Sequence, residues 1–452
     1  MSANVNGLRL ADLADCFEGV VPALVATADA DGRPNLSYLS QVVRVGDEHV
    51  ALSNQFFGKT AANLRQNPRA ALLLVDGRTG QQYRLRAVWL RTESDGSLFE
   101  RVDAQLRAGI TQTGMAKVMR LRGVDIYRVE RIDRVPAPPP EEAIAAPPPA
   151  SLEAVAALAG AIAAAEEVED LLDALLDGLS ARFPRTGILV LAHDEHRGVL
   201  ATVASHGFPA AGIGSEVAPG SGTIGVAAAD RRPVRITDMS RVRRMTAAVR
   251  ASGPAGDDVR QIPLPGLPGS LSQIAMPLLA QGRLHGVLYA ESDRRMAFDA
   301  ADEALFRIVA GQTANALAAL EAPPREPAPA PGPADAASRN RPGAPDTEIR
   351  IVHHRYDDSV FIDNGYVIKG LPGRLLVCML ELHLREGRTE FSNRELRLVE
   401  ALKLPPLKDN LETRLLLLRR RLDEKRLPVT LHRIGRGRLR LDLRGRPVIE
   451  QP

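Results

Sequence analysis

Arginine side chains are concentrated near the end of this 452-residue chain. Leucines recur at helical spacing over residues 408–426, and this stripe predicts a helix with one buried face. The positions left on the outer face are Thr413, Arg414, Arg420, Arg421 and Glu424. A basic hairpin follows, in which Arg436 and Arg438 flank Gly437. Guanidinium groups bind phosphates and base edges, so the chemistry indicated by this pattern is recognition of a polyanion.

The charge distribution supports this interpretation. The formal net charge is only +3, but residues 349–446 hold 22 Lys and Arg against 13 Asp and Glu, or +9, which leaves about −6 for the remainder. A basic end module on a mildly acidic body indicates a polyanionic partner for that end alone.

Two short motifs are compatible with other chemistry. Residues 220–225 (GSGTIG) fit the G-x-G-x-x-G pattern of dinucleotide sites, but the preceding residues 215–219 end in proline and no βαβ pattern surrounds them. His193 and His196 flank two carboxylates at a predicted hairpin tip, where polar residues are common. We therefore predict neither a dinucleotide site nor a metal site, and no catalytic residue.

Two segments rich in Pro and Ala interrupt the hydrophobic periodicity of the chain. They cover residues 136–150 and 322–346 and are typical of extended linkers. They divide the chain into modules of ordinary domain size: residues 1–135, 151–321 and 347–452.

Cysteine content and hydropathy limit the cellular setting. Cys16 and Cys378 are the two cysteines and fall in different modules, so neither a disulfide framework nor a cysteine-based zinc site is expected. The longest apolar run, residues 154–165, is too short to span a membrane, and the N-terminus carries acidic residues where a secretory signal is apolar. A cytoplasmic protein without a membrane partner is predicted.

The first module alternates short apolar runs with turns, which is typical of an antiparallel sheet joined by hairpins. The runs cover residues 23–28, 35–45, 50–53, 70–75, 82–92 and 125–129, and residues 59–66 have helical spacing. The stretches DGRPNLSYLSQVV, HVALSN and GKTAANLRQNPRAALLLV resemble the pyridoxamine 5'-phosphate oxidase-like, FMN-binding split-barrel family, over about the first 130 residues.

That resemblance implies FMN, with its phosphate held by the loop and helix after the third strand. The matching positions are Ser53, Asn54, Lys59 and Thr60. A helix N-terminus with a lysine is also a physically suitable anion site. Flavin binders of this family often carry a basic residue on the strand before this loop. The matching residues 36–41 contain no basic residue, and Arg44 is a nearby substitute. The alternative is a barrel that has lost its cofactor.

The middle module reads as helix, sheet, excursion, hairpin and helix. The stretches PGSGTIGVAAADRRPVRITDMS and SQIAMPLLAQGRLHGVLYAES, with the helix that follows, resemble a GAF domain over residues 152–320. This resemblance implies a small-molecule pocket under the excursion 215–272 and dimerisation through residues 152–165 and 306–320. Because the module contains no cysteine, a covalently attached bilin is excluded.

The last module begins with short strands, continues with three helices and ends in the basic hairpin. Ser392 and Glu395 form a capping box at the start of the second helix. The run NLETRLLLLRRRLDEKRLPVTLHRIGRGRLRLDL resembles the winged helix of OmpR-type effector domains. The resemblance implies that Thr413, Arg414, Arg420 and Arg421 face DNA and that Arg436 and Arg438 contact phosphates. Glu412 and the extra apolar residues Leu416 and Leu417 leave docking to a protein open.

The predicted fold class is therefore α+β multidomain: a split β-barrel, a GAF-like sheet with flanking helices and a winged helix-turn-helix. The predicted function is a one-component transcriptional regulator, a homodimer that senses a small molecule or flavin and binds DNA. The alternatives are an FMN-dependent oxidoreductase with a regulatory GAF module and a signalling scaffold whose last module docks a protein.

Overall fold

The computed structural model describes residues 7–39, 41–54, 58–111, 120–136, 143–145, 151–240, 262–321, 348–402 and 411–452. The predicted linker 322–346 lies outside these residues, as does most of the linker 136–150. Part of the predicted excursion, residues 241–261, also lies outside them. Within the described residues, no helix combines the length and apolar character needed to cross a membrane.

The first module contains a seven-stranded antiparallel sheet in the order β2-β1-β5-β6-β7-β4-β3. Its strands are β1 (Ala23–Ala28), β2 (Pro34–Leu39), β3 (Val42–Val45), β4 (His49–Asn54), β5 (Arg69–Val75), β6 (Gln82–Glu93) and β7 (Gly123–Val135). Alternate residues of β5 are buried, as expected for a strand with one face on a core. The prediction of one continuous strand over residues 35–45 is wrong, because β2 and β3 pair with different neighbours at opposite ends of the sheet order.

Two helices belong to this module: α1 (Gly58–Gln66) and α2 (Gly96–Thr111). The sequence predicted α1 within one residue, whereas it did not predict α2. A 3-10 helix over Leu10–Phe17 closes the barrel core with Leu10 and Leu13.

The middle module is a six-stranded antiparallel sheet in the order β10-β9-β8-β13-β12-β11, with helices on both faces. Its strands are β8 (Thr186–Asp194), β9 (Val199–His206), β10 (Glu216–Val217), β11 (Val234–Ile236), β12 (Ser272–Ala280) and β13 (Arg283–Ser292). Its helices are α3 (Leu152–Ala164), α4 (Val168–Arg182), α5 (Gly222–Asp230) and α6 (Ala300–Glu321).

Alternate strand residues of this sheet enter two different cores. Ile188 and Val190 pack with α4 and α6, while Leu189 and Leu191 pack with α5. This explains why β8 reads as a continuous apolar run, because both of its faces are covered by helices.

The glycine-rich motif 220–225 forms the start of α5. A Cβ atom on Gly225 would lie 2.3 Å from the carbonyl oxygen of Ala218, so the motif's last glycine is needed for close backbone packing. The strand before the motif is only the two-residue β10. The geometry agrees with a structural role for these glycines.

The last module holds two small sheets and three helices. Strands β14 (Glu348–His354), β15 (Ser359–Ile362), β16 (Gly365–Ile368) and β20 (Arg446–Glu450) form one sheet, and β17 (Glu390–Ser392), β18 (Val429–Gly435) and β19 (Arg438–Leu443) form the other. The helices are α7 (Leu371–Glu386), α8 (Asn393–Leu398) and α9 (Leu411–Lys425). The predicted capping box of Ser392 and Glu395 is confirmed at the start of α8. Strands β17 and β20 were not predicted.

The middle module contacts both of the other modules. The apolar core of the last module is continuous with that of the middle module, because α9 packs on α4 and β9. Helix α2 of the first module packs on α5 of the middle module. The Arg235 guanidinium donates to the Glu18 carboxylate across the same boundary.

Candidate functional site

Three of the four residues predicted to hold a flavin phosphate have hydrogen-bond partners within their own module. The Ser53 hydroxyl lies 3.4 Å from the Gln41 carbonyl oxygen, and the Asn54 side-chain amide donates to Asp125 over 3.1 Å. The buried Thr60 hydroxyl lies 3.0 Å from the Ser37 hydroxyl, while Lys59 is exposed. The three polar groups are thus engaged by three different parts of the sheet.

The surroundings of Asn54 suit a phosphate poorly. Its partner Asp125 is a buried carboxyl whose pKa is raised by burial and which also accepts from the Thr92 hydroxyl. A carboxyl at this position would repel an anionic group when ionised. What remains favourable is the first turn of α1, where the exposed Lys59 follows Gly58. The residues present therefore fit an FMN phosphate only in part.

A connected set of polar side chains is buried in the middle module, on the sheet face that carries α5. The Thr223 hydroxyl donates to the Gln273 carbonyl over 2.6 Å, and the Tyr289 hydroxyl donates to the Glu291 carboxylate over 2.7 Å. The backbone N–H of Leu267 donates to the other Glu291 oxygen. Burial, together with the Glu291 carboxylate, raises the pKa of the Tyr289 phenol well above its usual value, so it remains a donor.

This network lies next to the end of the excursion, where residues 241–261 fall outside the described part. The Glu291 carboxylate accepts three hydrogen bonds from the described residues, because the Gln273 side-chain amide also donates to it over 3.5 Å. A carboxylate has about four lone-pair sites, so Glu291 can accept one more hydrogen bond, such as that of a ligand N–H or O–H group. The sequence analysis did not predict Glu291 or Tyr289 as site residues, because each is an ordinary residue for a buried strand.

Helix α9 is where the structure corrects the sequence prediction most. Thr413, Arg414 and Arg421, predicted to face outward, are only 3%, 6% and 5% exposed. For Thr413 and Arg414 the prediction is wrong because one face of α9 lies against the middle module. Arg421 is instead buried inside its own module. Leu416 and Leu417, the extra leucines that suggested protein docking, are buried within this chain.

The deepest contact of this face joins α9 to the end of β8. The Arg414 guanidinium lies 3.2 Å from the Asp194 carboxylate, and both side chains are buried. The hydroxyl of the preceding residue, Thr413, donates to Glu321 of α6 over 2.8 Å. Asp194 belongs to the histidine–carboxylate quartet that was weighed above as a metal site. In the structure its carboxylate is the partner of Arg414.

Three further arginines contact α4 of the middle module. Arg420 donates to Asp173 over 2.6 Å and to the Val203 carbonyl over 3.1 Å. Arg419 pairs with Glu169. Arg433, on β18 of the hairpin, pairs with Glu167 and lies 3.8 Å from Asp170. Arg419 and Arg433 were not among the predicted site residues.

The other predicted arginines have different surroundings. Arg421 donates to the Val367 carbonyl within its own module over 3.0 Å and to Glu424 over 2.6 Å, so it holds the module together. Arg436 and Arg438 are exposed at the hairpin, where Arg438 donates to Glu390 over 3.1 Å. Only these two hairpin arginines have the exposure that was predicted.

A sequence signal for the missed contacts does exist. Residues 166–173 carry five carboxylates on one predicted helix, and the last module carries the compensating positive charge. Opposite charge on two modules of one chain is compatible with contact between them. The interpretation of the arginines as a partner-binding surface left this intramolecular pairing unconsidered.

Comparison with known protein families agrees with the first two modules. Residues 11–130 match the family model of pyridoxamine 5'-phosphate oxidase, and residues 165–318 match that of the GAF domain. The predicted identities of these modules are thus confirmed, and small-molecule or flavin sensing is what such domains suggest. No curated protein gives a significant match to the chain.

Solved structures resemble single modules of the chain. An FMN-binding protein from Syntrophomonas wolfei has 16% identity and a TM-score of 0.24, with 28% of this chain and 86% of that chain covered. The GAF domain of an Acinetobacter phosphoenolpyruvate-protein phosphotransferase has 18% identity and a TM-score of 0.30, with 37% and 92% covered. Free methionine-R-sulfoxide reductase from Neisseria meningitidis has 21% identity and a TM-score of 0.29, with 38% and 93% covered.

Proposed function

We propose that the chain is a ligand-responsive transcriptional regulator, in which the GAF and split-barrel modules sense a small molecule and the last module binds DNA as a winged helix. The observation that carries the proposal is the docking of α9 on the sensor. Arg414 pairs with the end of β8 and Arg420 bonds to the backbone of β9. A ligand that shifts this sheet also shifts the helix that would enter DNA.

The element order of the last module supports a winged helix. Three helices are followed by a two-stranded hairpin with basic residues at its turn, and α9 is the third of these helices. In winged helices and related folds this helix occupies the major groove and the hairpin contacts the backbone. Arg436 and Arg438 are the exposed hairpin cations available for that contact.

The sensed ligand is proposed to bind beside Glu291 in the GAF module, through a donor group. Coupling then requires that the ligand has different affinities for the docked and undocked arrangements of α9.

FMN on the split barrel is a second candidate ligand, held through Lys59 and the first turn of α1. FMN would supply its redox-active, light-absorbing ring to that module. We also propose that the chain acts as a homodimer, as regulators of symmetric DNA sites commonly do.

The DNA-binding part is tested with the full chain and a pool of random duplexes, by fluorescence anisotropy at several salt concentrations. We expect salt-dependent binding, and we expect Arg436→Ala with Arg438→Ala to reduce the slope of log K against log [salt] by about 2, since each removes about one phosphate contact. Arg355→Ala with Arg446→Ala is the matched control, because these exposed arginines lie in or directly beside the four-stranded sheet. Equal loss in both double variants would contradict a hairpin contact.

The alternative function, an FMN-dependent oxidoreductase, is favoured by the match of residues 11–130 to pyridoxamine 5'-phosphate oxidase. It predicts yellow protein that releases FMN on denaturation and turns over with a reductant. An absorption spectrum of the purified chain separates the two functions when it is combined with Lys59→Ala. A flavin spectrum that this substitution abolishes, together with turnover, would favour the enzyme.

A further inference from the structure

The arginines that contact α4 form one surface although they come from two elements. Arg419 and Arg420 are neighbours on α9, and Arg433 lies on the hairpin strand β18. A cleft between α9 and the hairpin is lined by Arg419, Arg433 and Leu416, and the first residues of α4 line its other side. We call the three arginines the basic surface.

The group that faces the basic surface is a row of carboxylates on a single helical segment. Glu167 precedes α4 directly, Glu169 lies in its first turn, and Asp173 follows one turn later. Six residues of helix rise about 9 Å, so these carboxylates are spread over about that length of the segment. Each pairs with a different arginine: Glu167 with Arg433, Glu169 with Arg419 and Asp173 with Arg420.

A line of carboxylates offers arginine the same chemistry as a line of phosphates. Guanidinium groups form charge-assisted, often paired hydrogen bonds to either anion. The same three arginines would therefore keep anionic partners if a nucleic-acid backbone replaced α4. Such an exchange avoids leaving a partly buried charge unpaired, which is the costly outcome.

The exposure of one pair favours a reversible contact. The Asp173 side chain is 56% exposed, whereas those of Glu167 and Glu169 are 14% and 28% exposed, so solvent and ions compete most for the pair of Asp173 with Arg420. Burial raises the pKa of the Glu167 carboxyl although Arg433 opposes the shift, so desolvation offsets part of the gain from this pair. The acidic row can thus be displaced by a stronger polyanion.

We propose that Arg419, Arg420 and Arg433 are a phosphate-binding surface of the last module for duplex DNA, and that the acidic row of α4 occupies this surface as an internal substitute for the DNA backbone. This inference rests on the proposed DNA-binding function. It differs from the sequence prediction in its residues, because Arg419 and Arg433 replace Arg414 and Arg421. DNA and α4 then exclude each other from the same arginines.

The test compares the full chain with a variant carrying Glu167→Gln, Glu169→Gln and Asp173→Asn, the row variant. The matched control carries Glu153→Gln, Glu166→Gln and Asp177→Asn, which removes the same charge from exposed positions of α3, α4 and the residues between them. Affinity for a random duplex pool is measured by anisotropy at fixed ionic strength. The row variant is expected to bind at least about fivefold more tightly than the control, the lower end of usual coupling between sites.

Adding Arg419→Ala and Arg433→Ala to the row variant is expected to remove that gain, which shows that the freed arginines are responsible. Circular dichroism and thermal unfolding confirm that each variant is folded. If the row variant does not fold, Asp173→Asn alone, at an exposed site, is also expected to tighten DNA binding.

Equal affinity of the row variant and the control, with both binding DNA, would overturn the inference and leave DNA binding intact. Absence of binding by all variants, at low salt as well, would instead overturn the proposed function. A gain that survives loss of Arg419 and Arg433 would also overturn the inference, because the DNA would then use other residues.

Discussion

At the scale of single residues, the structure separates arginines that the sequence placed in one class. Arg414 and Arg421 are buried and bond to Asp194 and Val367, while Arg436 is exposed. All three read in the sequence as outward cations. Residue type and helical position cannot distinguish them, because the burial of Arg414 by the middle module and of Arg421 by β16 depends on tertiary contacts between residues far apart in the sequence.

The two cysteines give a prediction at the same scale. Burial raises the pKa of both the Cys16 and the Cys378 thiols, so neither forms the reactive thiolate at neutral pH. We expect slow labelling of the native chain by a thiol reagent such as dithionitrobenzoate, and rapid labelling of two thiols per chain in denaturant. Fast stoichiometric labelling of the native protein would show that one of these sites opens readily.

At the scale of elements, local signals predicted those that a local pattern defines. The helix α1, the capping box of α8 and the hairpin β18–β19 follow from spacing, a side-chain cap and a glycine turn. Helix α2 was missed although its sequence is ordinary for a helix, because its position depends on packing against α5. Strand β20 was missed because it pairs in parallel with β14, nearly 100 residues away in sequence.

The candidate site was predicted to a smaller extent than the fold. Lys59 at the start of α1 and the two hairpin arginines lie as exposed as expected. The Glu291 network and the carboxylates that face α9 were not found, because hydrogen bonds between β12, β13 and α5 are set by the sheet register. Resemblance to a family identified two modules, but it could not place the third against them.

Helix α5 gives a prediction for an element. Gly225→Ala would bring a Cβ atom within 2.3 Å of the Ala218 carbonyl oxygen, so the turn before α5 or the helix itself must shift. We expect a loss of about 1–3 kcal/mol in the free energy of unfolding, which is typical of an overpacked site. Urea denaturation measures this loss.

Gly311→Ala, in helix α6, is the control for that change. A Cβ atom added at Gly311 would have no neighbouring atom within 4 Å. There the substitution is expected to stabilise the protein by about 0.5–1 kcal/mol, the usual helix preference for alanine over glycine. A stabilising effect of Gly225→Ala would argue against the close approach of α5 to residue 218.

At the scale of the whole molecule, helix α9 connects the last module to the middle module. It packs in the apolar core that the two modules share, and Thr413 and Arg414 contact Glu321 and Asp194 of the middle module. Under the proposed function, α9 would couple the ligand site to DNA binding, and undocking would have to expose the basic surface before DNA can reach it.

The proposed function depends on the docking of α9 on the middle module, and a double-mutant cycle on Asp194 and Arg414 tests this contact most directly. The free energies of unfolding of the chain, Asp194→Asn, Arg414→Met and the double variant are measured in urea, with the more exposed pair Glu195 and Arg283 as control. We predict a coupling energy of about 1–3 kcal/mol for the buried pair and under about 1 kcal/mol for the control. A coupling energy near zero for Asp194 and Arg414 would contradict the docked arrangement.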